Sequence, residues 1–81
     1  MGNVSIKINN GFIRIYIDGI LHFCIKREEF LGFQSWLIGE GENRMYIIEY
    51  YTKSGEILTE YDNKKLWSKI LGLLDKHVLI K

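Results

Sequence analysis

The chain has 81 residues, 47% hydrophobic and 14% aromatic, which excludes a disordered tail and predicts one folded domain over residues 1–81. Its 11 basic and 10 acidic residues leave a net charge of +1, so bulk electrostatics predicts no nucleic-acid or membrane partner. The lone Cys24 excludes an internal disulfide, and no run approaches the roughly 18 apolar residues of a membrane-spanning helix.

The opening MGNVSIKINN lacks the apolar core of a signal peptide, so a soluble cytoplasmic protein is expected. Proline is absent, and Ile, Lys, Asn and Tyr are heavily used. That bias is common in AT-rich genomes, including those of phages and mobile elements, and bears on origin rather than activity.

Val4, Ile6 and Ile8 alternate with Ser5, Lys7 and Asn9, the period-two pattern of a half-buried strand. Asn10-Gly11 supplies the two φ > 0 positions of a type I′ turn. That turn pairs Ile8 with Ile13, Ile6 with Ile15 and Val4 with Ile17, and sets Lys7 opposite Arg14. At Asp18-Gly19, a three-residue loop is expected, because it pairs Ile15 with Leu21 and Ile13 with Phe23 and keeps one apolar face continuous. The core is then Ile6, Ile8, Ile13, Ile15, Leu21, Phe23 and Ile25.

Residues 27–31 read as a polar break with a single helical turn, followed by a fourth strand over 32–38. Residues 39–43, GEGEN, form an acidic loop. Residues 45–52 are apolar or aromatic at most positions of both parities, as in a strand that is central or covered on both sides. A three-residue loop ending in Gly55 is expected next, since it pairs Glu49 with Thr59 and avoids a Glu49–Glu60 pair. It also sets Tyr50 opposite Leu58.

Residues 61–78 close the chain as an amphipathic helix. At 100° per residue, Leu66, Trp67, Ile70, Leu71, Leu73, Leu74, His77 and Val78 share one arc. Lys64, Lys65, Ser68, Lys69, Gly72, Asp75 and Lys76 fill the other. Asp62 or Asn63 is the expected N-cap.

These elements define an α+β, mainly β, fold: an antiparallel six-strand meander, curved or barrel-like, closed by one C-terminal amphipathic helix. The segments GEILTEYDNKKLWSKILGLL and IYIDGILHFCIKREEFLGFQSWL carry the pattern. It resembles a pared-down pleckstrin-homology-like domain, a family that usually has a seventh strand and more residues. The resemblance implies binding of a lipid head group, peptide or protein, without catalysis.

Three surfaces are candidate sites. Lys7, Arg14 and His22 are expected in one basic row on the outer sheet face, where an anionic small molecule or nucleotide would offset their mutual repulsion; without one they are a solvated face. Tyr16, Trp36, Tyr46 and Tyr50 exceed what a core of this size requires and suit a protein interface, for example a homodimer, unless the returning sheet buries them. Lys65, Lys69 and Gly72 mark the exposed helix face, where a glycine invites close approach of a partner or is simply tolerated. His22 and Cys24 lack a third metal ligand and an orienting acid, and no phosphate-binding or dinucleotide fingerprint is present. The expectation is a non-enzymatic binding module without cofactor or metal, acting by protein–protein contact and self-associating. An anion or nucleotide binder is the alternative.

Overall fold

The computed structural model describes residues 2–77; Val78, assigned to the apolar arc of the helix, lies outside them. The elements are β1 (Val4–Asn9), β2 (Phe12–Ile17), β3 (Ile20–Lys26), β4 (Phe30–Ile38), β5 (Met45–Thr52), β6 (Gly55–Tyr61) and α1 (Lys64–His77). Short 3-10 turns occupy Arg27–Glu29 and Gly41–Asn43.

Six antiparallel strands in meander order and a terminal helix are present, but no barrel closes. The strands form two separate three-stranded sheets, β1-β2-β3 and β4-β5-β6. The break lies at the turn Arg27–Glu29, which takes the chain out of the plane of the first sheet. Its backbone is tied to both sides: the Arg27 N–H donates to the Gly11 carbonyl at 2.8 Å, and the Glu29 carbonyl accepts from the Lys53 N–H at 3.0 Å. Each donor and acceptor used there is one that a β3–β4 ladder would otherwise have to satisfy.

The first hairpin has the expected register, with Ile8 opposite Ile13, Ile6 opposite Ile15, and Lys7 opposite Arg14. Asn10 at φ 51 and Gly11 at φ 77 make the primed turn that matches strand twist. The second hairpin departs from expectation. Asp18 at φ 51 and Gly19 at φ 82 form a two-residue turn joining Ile17 to Ile20, and Tyr16 then faces Leu21. A bulge follows, so Ile15 faces Phe23, Arg14 faces Cys24, and His22 has no partner in the ladder. The extra residue returns Phe23 and Ile25 to the core, and Leu21 is left 51% exposed.

The β5–β6 register also differs. Lys53-Ser54 is a two-residue loop, with Thr52 Oγ1 accepting from the Ser54 N–H and donating to the Gly55 carbonyl. Glu49 therefore faces Leu58 and Tyr50 faces Ile57, a slip of one residue that exchanges the two faces of β6.

The inner faces meet in a core of Ile13, Ile15, Phe23, Ile25, Ile48, Tyr50, Tyr61, Ile70 and Leu74. Phe23 and Tyr50 stack across it at 4.1 Å. Fully burying such a side chain contributes about 1.5–3 kcal/mol, so these residues carry most of the stability. Helix α1 lies against β1, β5 and β6, spanning both sheets. Its N-cap is Asn63, whose Oδ1 accepts from the Leu66 N–H at 3.2 Å. The Trp67 indole donates to the Ile47 carbonyl at 3.1 Å and packs against Tyr46. His77, assigned to the apolar side, is exposed in the last turn, beyond the core that Ile70 and Leu74 fill.

Candidate functional site

Strand alternation gives the first sheet an outer face made of Lys7 on β1, Phe12, Arg14 and Tyr16 on β2, and Cys24 and Lys26 on β3. Lys7 Nζ lies 5.7 Å from the Tyr16 ring centroid, and the Arg14 guanidinium 4.9 Å from that of Phe12. Arg14 Nη1 also donates to Asn9 Oδ1 at 2.8 Å. These partners are neutral, so they hold the two cations in place without cancelling their charge. The face continues into an open depression of about 560 Å³ lined by residues including Phe12, Lys26 and Arg27.

His22 does not join this row. Displaced by the bulge, its imidazole Nε2 sits 2.6 Å from the Tyr61 hydroxyl, the direction of the bond depending on the tautomer. Loss of water around the ring holds the imidazolium pKa below its usual value. Both residues line an open groove of about 450 Å³ shared with Ile17, Met45, Glu60, Asp62 and Leu66. Cys24 stays exposed on the outer face opposite Arg14, so His22 and Cys24 do not address one site. Among the described residues, no three His, Cys, Asp or Glu side chains converge in a metal-binding arrangement.

The aromatic candidates divide. Tyr50 is fully buried and stacked on Phe23, so it presents no surface to a partner. Tyr46 is half-buried against Trp67, at the margin of the core. Tyr16 belongs to the basic face. Trp36 is half-buried on the opposite side of the molecule, on the outer face of the second sheet.

That second face sets Trp36 beside residues that sequence reasoning missed. The registers place Gln34, Trp36 and Ile38 of β4, Met45, Ile47, Glu49 and Tyr51 of β5, and Glu56, Leu58 and Glu60 of β6 side by side. Leu58 is 58% exposed and Ile38 49%, whereas Ile47, flanked by Trp36 and Glu60, is 4% exposed. The result is an apolar centre with three carboxylates along one side. Glu49 Oε1 accepts from Gln34 at 3.2 Å and from the Tyr51 hydroxyl at 3.1 Å, which fixes that carboxylate on the face. The slipped register hid Leu58; recognising Lys53-Ser54 as a two-residue loop would have placed it beside Glu49.

The helix face is sparsely built. Lys69 Nζ donates to the Gly2 carbonyl at 3.2 Å. Lys65 and Lys69 line a shallow groove with Asp18, Asp62 and Asn63, among others. Gly72 is exposed, and a Cβ placed there would meet nothing within 4 Å.

No helix among the described residues is long and apolar enough to cross a membrane. Comparison of the chain with protein-family models, curated proteins and solved structures gives no match.

Proposed function

We propose that the chain is a non-enzymatic binding module that acts by protein–protein contact and associates with itself through the outer face of β4-β5-β6. The observation that carries this reading is the exposure of Ile38 and Leu58 on a regular sheet face, around the half-buried Trp36 and the buried Ile47. Large side chains there have no intramolecular reason to face water, since the core is already filled by Ile48, Tyr50 and Tyr61 from the other face. A hydrogen-bonded sheet surface carrying an aromatic, Trp36, is also ordered before contact, which lowers the entropy cost of docking. The pleckstrin-homology-like resemblance points the same way, toward binding without catalysis. A cytoplasmic setting would keep the exposed Cys24 thiol reduced.

Sedimentation velocity of the wild type and of Leu58→Lys tests the reading. Leu58 is exposed, so the charge should leave the melting curve unchanged and abolish concentration-dependent association. A wild type that stays monomeric at about 1 mM, where even a weak specific contact would form, would remove self-association from the proposal.

A second reading, binding of an anionic small molecule, is favoured by one observation, the direct pairing of Lys7 with Arg14. His22 contributes nothing to it, because its imidazole is turned to Tyr61. Phosphate-bearing ligands should then raise the melting temperature, and Arg14→Ala should remove the shift.

A further inference from the structure

The partner for the acidic apolar face can be named from charge. Its carboxylates, Glu49, Glu56 and Glu60, repel a second copy of themselves, so pairing two identical faces about a twofold axis brings like charges together. The chain carries the complementary surface on its other side. Lys7, Arg14 and Lys26 supply three cations among two aromatic rings, Phe12 and Tyr16, against three carboxylates around Trp36 and Leu58. Lys7 and Arg14 are held by cation–π contacts, and Arg14 also by a neutral hydrogen bond, so both stay available to an incoming carboxylate.

We infer that the occupant is a second copy of this chain docked head to tail, the acidic apolar face of the second sheet seated on the basic aromatic face of the first. This rests on the protein-contact reading above and adds the partner and the polarity of the contact. The two surfaces are the outer faces of sheets whose inner faces share one core, so they lie on opposite sides of the molecule. Occupying one leaves the other free. A heterologous contact of this kind propagates beyond the dimer unless a rotation closes it into a ring. Phe12, Tyr16 and Trp36 supply the apolar part of the contact; the charges fix its direction and register.

The test uses the full chain and two single-face variants. Arg14→Glu damages the basic face and leaves the acidic one; Leu58→Lys does the reverse. The wild type should show a sedimentation coefficient that keeps rising with concentration at low salt. The rise should be lost near 1 M salt, where the screening length falls to about 3 Å. Each variant alone should be monomeric, and an equimolar mixture should form a one-to-one dimer and nothing larger, because each molecule then has one competent face. Lys7→Glu serves in place of Arg14→Glu if the latter loses its folded circular dichroism spectrum. If Arg14→Glu and Lys7→Glu associate like the wild type while Leu58→Lys does not, head-to-tail pairing is overturned and the contact reading survives. If Leu58→Lys associates like the wild type, both fall.

Discussion

His22 Nε2 and the Tyr61 hydroxyl lie 2.6 Å apart, joining the bulge in β3 to the last residue of β6 and so bridging the two sheets. The imidazole pKa is lowered by loss of hydration, while burial pushes the Tyr61 hydroxyl up, so both are neutral at pH 7. The unfolded chain takes up the His22 proton near pH 6.5, the folded chain only at lower pH. Between those values the unfolded state binds more protons, so stability is complete above about pH 6.5 and declines as the pH falls through the window. Urea titrations at about pH 7.5 and pH 5.5 should show a lower midpoint at the acid value, and His22→Gln should reduce that difference. An unchanged pH dependence in the variant would assign it to other groups.

Tyr50 is fully buried, and its hydroxyl has no hydrogen-bond partner among the described residues. Burial, reinforced by the neighbouring Tyr61, drives its pKa far up, so the group never ionises in the folded state. An orphaned buried hydroxyl is a net cost, and the ring alone maintains the stack on Phe23. Tyr50→Phe should therefore stabilise by about 1 kcal/mol, seen as a higher urea midpoint at constant slope. Tyr50→Ala should lose about 3–5 kcal/mol.

Gly72 sits in the exposed middle of α1 with open space where a side chain would go. Gly72→Ala should raise stability by about 1 kcal/mol, the helix-propensity difference, and leave sedimentation unchanged. Association lost in a variant with a raised melting temperature would move the contact from the second sheet to the lysine face of the helix.

The parts of the fold legible in the sequence are those where two local signals agree. Asn10-Gly11 between clean alternations set the first register residue by residue. The mixed parity of β5 is that of a central strand, and β5 lies between β4 and β6, with Ile47 and Ile48 on opposite faces and both buried. The second hairpin failed because alternation was assumed to be unbroken. A bulge at His22 lets a two-residue Asp18-Gly19 turn coexist with an inward Phe23, and the residues around it carry no local mark of that irregularity.

At the last reversal, between β5 and β6, avoiding the Glu49–Glu60 pair was sound, but two registers satisfy it. The Thr52 side chain selects the one with Leu58 outward. The candidate sites inherit these errors. His22 left the basic row through the bulge, and Leu58 entered the outer face through the slip. The separation into two sheets was invisible because it depends on where Arg27 and Glu29 find backbone partners, a tertiary fact.

Helix α1 lies against strands of both sheets and follows them in sequence. Each sheet consists of consecutive hairpins that close over short stretches of chain, whereas the Lys69–Gly2 contact spans 67 residues. The hairpins of the two sheets can therefore form before the helix docks across them. Until then Ile13, Ile15, Ile48 and Tyr50 lack the cover of Ile70 and Leu74.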